Sequence, residues 1–324
     1  MRTPWNRSLL AALAGLVLAG TAMAQDAWPS RPVTFIVPNP PGGVVDTSAR
    51  LAADPLGKLL GQPVVIDNRG GASGNVAYGH VARAKPDGYT LLISYSAYHT
   101  GNPALMAKMP WEQSDFVPVA LLAVGTNVIT VHPSVPVKNL KELIAYAKAN
   151  PGKLNYASQG NGSLSHMGTE LFKQMTGTDI VHVPYKGSGA AIQDVLGGQV
   201  QLFITTPPSV MGHVQNGKLK GLAIASKSRY SELPELPTTA EAGLPGFELE
   251  AWVGLFAPKG TPQAVIDQLT AGLKQVLDTP EAKARAKQTG VEIRYLPPAQ
   301  LDALVKKETE YWGKVIKSAG IRSD

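Results

Sequence analysis

Val33-Thr-Phe-Ile-Val-Pro-Asn-Pro-Pro-Gly-Gly-Val-Val-Asp46 sets a strand, a turn and a helix start in immediate succession. Residues 33–37 form a short apolar run with the branching of a buried strand. Pro38 to Gly43 punctuate it as a turn. From Asp46 onward, apolar residues recur at helical spacing: Ala49, Leu51, Ala52, Leu56, Leu59 and Leu60. A strand that enters a helix through a glycine turn leaves the first helical N–H groups free. Those donors, with the positive end of the helix dipole, suit an anion. Pro41, Gly42, Gly43 and Asp46 are therefore candidate ligand residues, the glycines because they let a ligand reach the main chain. The same residues also fit an ordinary strand-to-helix turn, so the stretch alone leaves both readings open.

The alternation continues along the chain. Strands are expected at 64–66, 90–94, 127–132, 154–158, 180–183, 201–205 and 219–226. Helices are expected between them at 46–60, 75–84, 140–149, 165–175, 190–196 and 209–216. This pattern predicts an α/β fold with parallel sheets covered by helices on both faces. The C-terminal third adds a short apolar run at 252–257, helices at 263–277, 280–289 and 298–318, and a strand at 291–296. It can pack back on the first unit. Breaks near 119–126 and 227–236 then give two domains, a discontinuous one of residues 25–122 plus 232–324 and an inserted one of 123–231. Hinges are expected near 119–127 and 227–236.

Arg2 and Arg7, an apolar stretch over 9–20 and Ala22-Met23-Ala24 read as a cleavable signal peptide over 1–24, with a mature start near Gln25. The expected location is the periplasm. The chain has no cysteine, which excludes disulfides, a thiolate nucleophile and cysteine-ligated zinc. Its 30 basic and 24 acidic residues give a net charge of +6, and the basic residues are scattered. That distribution excludes a nucleic-acid stripe and tolerates an anionic small ligand.

A second strand–loop–helix junction is Ser158-Gln-Gly-Asn-Gly-Ser-Leu-Ser-His166, with Ser158, Asn161, Ser163 and His166 as candidate donors and caps. It lies in the inserted domain. Two such helix starts facing one cleft would hold two carboxylates. The alternative is a pair of well-capped helices. A third junction, Lys186-Gly-Ser-Gly-Ala190, lacks P-loop spacing, and Gly70-Gly-Ala-Ser-Gly74 lacks dinucleotide spacing. The six histidines show no metal-ligand spacing, so neither metal nor cofactor is expected. No G-x-S-x-G elbow is present, and a Ser163 pairing with His99 would lack an oriented third member. The exit of the strand at 90–94 carries hydroxyls (Ser94, Ser96, Thr100) beside rings (Tyr95, Tyr98, His99), with Asn102 following; these could stack on and hydrogen-bond an aromatic ligand, or the tyrosines could pack under the loop.

Taken in order, Pro40–Asp46, Asp67-Asn-Arg-Gly-Gly-Ala-Ser-Gly-Asn75, Lys85-Pro-Asp-Gly-Tyr-Thr90, Pro151–Ser158, His182-Val-Pro-Tyr-Lys-Gly187 and Leu236–Gly246 strongly resemble the Bug (TctC-type) periplasmic solute-binding proteins of tripartite tricarboxylate transporters. The resemblance covers nearly the whole mature chain. It implies a type II periplasmic-binding-protein fold, closure of two domains around a small carboxylate, and delivery to integral-membrane transporter subunits by a monomeric, non-enzymatic receptor. Where many relatives are small and glycine-rich, this chain has Tyr95, Tyr98 and His99. Where many carry an Asp after the strand at 201–204, it has Thr205, Thr206 and Pro207. Those departures point to an aromatic, amine-free dicarboxylate, with terephthalate first. Citrate or another aliphatic di- or tricarboxylate is the rival, and an exported hydrolase of an anionic ester is the competing class.

Overall fold

The computed structural model describes residues 28–321. The signal-peptide reading falls on 1–24, outside the described residues. Two sheets organise the chain. The first has six strands in the order β11-β4-β10-β3-β1-β2, and the second has five, ordered β7-β6-β8-β5-β9. In sequence the first half runs β1 (Val33–Val37), α1 (Val44–Leu60), β2 (Val64–Asn68), α2 (Asn75–Ala82), β3 (Thr90–Tyr95), α3 (Asn102–Leu105) and β4 (Phe116–Thr126). The second sheet follows as β5 (Val128–Val131), α4 (Leu140–Ala149), β6 (Asn155–Ser158), α5 (Leu164–Thr176), β7 (Val181–Pro184), α6 (Ser188–Leu196), β8 (Leu202–Thr205), α7 (Pro207–Gln215) and β9 (Lys220–Ile224). The chain then returns to the first sheet with β10 (Glu250–Pro258), α8 (Gln263–Leu277), α9 (Pro280–Thr289), β11 (Glu292–Leu296) and α10 (Pro298–Ala319).

The all-parallel expectation is corrected: both sheets are mixed. β1 pairs in parallel with β2 and β3, but β10 runs antiparallel to both β3 and β4. In the second sheet β5 is antiparallel to β8 and β9. Three strands run against the others: β5, by which the chain enters the second sheet, β10, by which it returns to the first, and β11 at the edge of the first sheet. Residues 119–126, read as a break, lie within the eleven-residue β4. Neighbours cover both faces of that strand, so its near-continuous apolar sequence carries no period-two alternation.

The chain passes between sheets at Asn127 and again between Ile224 and Glu250. Asn127 ties the two passages together by donating from Nδ2 to the Leu249 carbonyl at 2.9 Å. The segment 227–236, expected as a crossing, lies against the second sheet, where Leu233 and Leu236 join the core of Phe203, Val210 and Ile224. The larger core spans the first sheet and continues through Met167, Phe172 and Leu249. The face of α5 is thereby packed on the first lobe.

Candidate functional site

A cavity of about 380 Å³ opens between the lobes, beyond the carboxyl ends of β1, β3 and β6. From the first lobe it is lined by Asn39 to Val45 and by Tyr95; from the second, by Gln159, Lys186–Ala190, Ile192, Pro208 and Ser209. The lining contains no acidic side chain and one lysine.

Two helix starts face each other here. Helix α1 begins after Gly43, which offers no side-chain cap, and its first backbone bond is Thr47 N–H to the Gly43 carbonyl. The N–H groups of Val44, Val45 and Asp46 precede that bond. Helix α6 begins after Gly187, also uncapped, and its first bond is Ala191 N–H to the Gly187 carbonyl. The amides of Ser188, Gly189 and Ala190 are left over in the same way. The two starts lie close: a Cβ on Gly43 would sit 3.7 Å from Ser188 Oγ, and one on Gly187 would sit 3.5 Å from Pro40 Cγ. Glycine therefore lets two positive dipole ends approach one cavity. Gln159 braces the second lobe by donating from Nε2 to Ser188 Oγ at 2.8 Å and to Thr205 Oγ1 at 3.2 Å.

Asp46 shapes the first turn from behind. Its carboxylate accepts from Gly42 N–H at 3.1 Å, from Arg50 Nε at 3.0 Å and from Asn68 Nδ2 at 3.0 Å. Burial works to raise its pKa, but the Arg50, Asn68 and Gly42 hydrogen bonds outweigh burial and hold it below the usual range. Asp46 is 3% exposed, so it positions the turn and leaves the cavity lining to Pro41, Gly42 and Gly43.

The loop Ser158–His166 is placed elsewhere. Ser163 caps α5, its hydroxyl accepting from His166 N–H and donating to the Gly160 carbonyl at 2.7 Å. His166 Nδ1 accepts from Gly162 N–H, and its ring stacks on His182 with centroids 4.0 Å apart. Ser158 Oγ lies 2.6 Å from His182 Nε2 but is fully buried. Asn161 turns toward the first lobe, where its carbonyl accepts from Ser73 Oγ. Of this loop only Gln159 reaches the cavity. No Ser163–His99 pair forms, because His99 is packed in the first lobe's core.

The aromatic strand exit is redistributed too. Residues 97–101 wind into a π-helical turn after β3. Tyr95 faces the cavity, whereas Tyr98 packs edge-on behind it at 5.0 Å. His99 turns inward, stacked on Phe256 at 4.5 Å, with Nδ1 3.0 Å from Ser94 Oγ. Ser94 also meets Tyr78 Oη, and Ser96 accepts from Trp252 N–H. Asn102 donates to the Ser73 carbonyl, and its Oδ1 is buried without a partner. Thr206 Oγ1 and Ser209 Oγ are likewise buried and unpartnered at the start of α7, and Ser209 lines the cavity. Tyr95, singled out in the sequence with Tyr98 and His99, is the one of the three rings that lines the cavity, whereas Gln159 and Gly187–Ala190 were not named as ligand residues. The signal at Gly187 was a glycine rather than a serine at the N-cap, since a serine fills its own helix donors.

Burial pushes the imidazoles of His99 and His182 down to about 3 and lowers His166; charge repulsion from His166 and Lys173 adds to the shift of His182. A depressed histidine pKa makes the folded state resist protonation. This contribution is complete above pH 6.5 and is lost as pH falls from there toward 3. Linkage sets the loss at about 2 kcal/mol by pH 5 for a group such as His99. Thermal melts from pH 7 to 5 should show it, and His99→Phe should flatten that limb. An unchanged slope would show that His99 is protonated in the fold.

Among the described residues no group of three or more His, Asp or Glu could hold a metal, and no helix is long and apolar enough to cross a membrane. The model of the tripartite tricarboxylate transporter family receptor matches residues 48–321. BugT of Bordetella pertussis is 36% identical over 323 residues, covering 98% of this chain and 99% of its own. An R. palustris protein solved with adipate superposes with a TM-score of 0.87 at 38% identity, over 91% of this chain and 99% of its own. MatC from Rhodopseudomonas palustris, solved with bound malate, gives 0.83 at 36% identity, over 89% and 100%.

Proposed function

This chain belongs to the TctC (Bug) family of tripartite tricarboxylate transporter receptors, which are solute-binding receptors, and from that membership we propose that it captures a dicarboxylate in the periplasm. It works as a monomer, without chemistry on the ligand, and hands it to the integral-membrane transporter subunits. The single observation that carries this reading is the pair of uncapped helix starts, α1 and α6, facing each other across a cavity with no acid in its lining. Each start offers three N–H donors and a positive dipole end to one carboxylate. Ser209 and Lys186 add a hydroxyl and a cation. With no carboxylate at hand, an amino group would be desolvated unpaired, which selects against amino acids. The lobes, one built on the first sheet through Thr126 and from Glu250 onward and the other on the second sheet with Leu233 and Leu236 packed on it, close about the two chain crossings.

The body of the ligand is read from the cavity walls. Tyr95, Pro40, Pro41, Val45, Ile192 and Pro208 give the cavity apolar walls, which suit a flat aromatic spacer such as that of terephthalate. Adipate carries its carboxylates on a four-carbon spacer of matching length, and one similar protein was solved with it. Titration calorimetry with terephthalate, adipate, malate, citrate and arginine tests both levels. One-site binding of a dicarboxylate, strongest for terephthalate, with no heat from arginine is expected. Adipate binding without terephthalate would remove the aromatic spacer and keep the dicarboxylate; silence from every carboxylate would remove both.

A further inference from the structure

Ala72 and Ser73 are, among the described residues, the non-glycine positions held in the left-handed backbone region, at φ 47° and 51°. Such a conformation is costly for a residue with a Cβ and persists where the surroundings enforce it. Two contacts enforce it here. Asn102 Nδ2 donates to the Ser73 carbonyl at 2.9 Å, and Ser73 Oγ donates across the cleft to the Asn161 carbonyl at 2.8 Å. The second bond joins the lobes directly.

The same turn touches the ligand cavity through one ring. Gly74 follows Ser73, and a Cβ there would lie 2.5 Å from Tyr98 Cδ2, so the ring bears on the turn's backbone. On its other side Tyr98 packs edge-on against Tyr95, and its hydroxyl accepts from Asn39 Nδ2 at 3.2 Å. Tyr95 and Asn39 both line the cavity; Tyr98 does not.

We infer that Tyr98 and the turn Gly71–Asn75 are positioning elements that couple the occupied cavity to an interlobe latch, the Ser73–Asn161 hydrogen bond. A ligand that orders Tyr95 and Asn39 fixes the Tyr98 ring. The ring fixes Gly74, and the turn then presents Ser73 Oγ to the second lobe. Affinity arises in part from a bond that never touches the ligand. This rests on the reading of the cavity as a carboxylate site that closes, and its test separates the two.

In the ligand-free mature protein, Ser73→Ala should speed amide exchange in 71–75 and 159–163 and leave other segments unchanged. Tyr98→Leu, which keeps the latch atoms but removes the ring from Gly74, should speed the same two segments. Unchanged exchange in both variants overturns the latch, whatever the protein binds. With terephthalate and adipate as probes, Ser73→Ala should weaken each by the same factor, about 3- to 10-fold through faster release, the worth of one hydrogen bond. A changed preference between the probes would make Ser73 a ligand contact instead. If the parent protein binds neither probe, the carboxylate reading falls while the exchange data still decide the latch.

Discussion

Ser188→Asp is expected to abolish carboxylate capture while leaving the fold as stable as the parent, or slightly more so. Ser188 is the first residue of α6 and lines the cavity opposite Gly43. Its Oγ accepts from Gln159 Nε2, a bond that an aspartate oxygen can also accept. An acid in the first helical turn is favourable by roughly 0.3–1 kcal/mol, so the helix gains. A bound carboxylate would face the new charge at close range. At about 4 Å and an effective dielectric of about 20, the repulsion is near 4 kcal/mol, a loss of roughly a thousandfold in affinity. The neutral Ser188→Asn keeps the shape and should stay within about tenfold of the parent. Calorimetry and a thermal melt on both variants check the pair of effects. Full-strength binding by the aspartate variant would place the anion elsewhere.

Trp252→Ala is expected to cost about 3–5 kcal/mol of stability, a large share of the 5–15 kcal/mol typical of a whole fold. The side chain is 1% exposed on β10, between Phe256 and His99. Its indole N–H donates to Glu308 Oε2 on α10 at 2.7 Å. Burial raises the Glu308 carboxyl to about 7, with Glu250 adding to the rise, while this hydrogen bond opposes it. Truncation therefore leaves both a cavity and a buried carboxyl without its donor. The midpoint of thermal unfolding should fall by roughly 10 °C. Because the folded pKa of Glu308 lies above its unfolded value, its contribution is present below pH 4.5 and is lost as pH rises through 7. The deficit of Trp252→Ala should then be larger at pH 8 than at pH 5, and Glu308→Gln should relieve the excess. A deficit that is flat with pH would show that Glu308 stays neutral throughout.

Most elements were legible in the chain because their signals are local. Val33–Val37 is a branched apolar run bounded by prolines, α1, α4 and α8 repeat apolar residues at helical spacing, and α9 is marked by the Thr279 cap, Pro280 and Gly290 at its ends. The strand β4 was not legible, since cover on both faces removes alternation. The antiparallel returns of β5 and β10 were hidden as well, because direction within a sheet is a long-range property.

The candidate site divides along the same line. Local signals suffice to show that Pro41–Gly43 lead into a helix with free donors, that no cysteine chemistry or nucleotide loop is present, and that the family is that of the solute-binding receptors. Which second junction meets the first follows from the packing of the lobes. Ser158–His166 and Lys186–Ala190 carry nearly the same local signal, but Ser163 spends its hydroxyl on its own helix and docks toward the first lobe. Gly187 has no side chain to spend, and its helix start faces Gly43. The π-helical turn likewise sent His99 into the core and left Tyr95 at the cavity. Free donors at a helix start follow from residues within one turn of it. Which starts converge follows from how the two lobes pack, and that is set by contacts far apart in the chain.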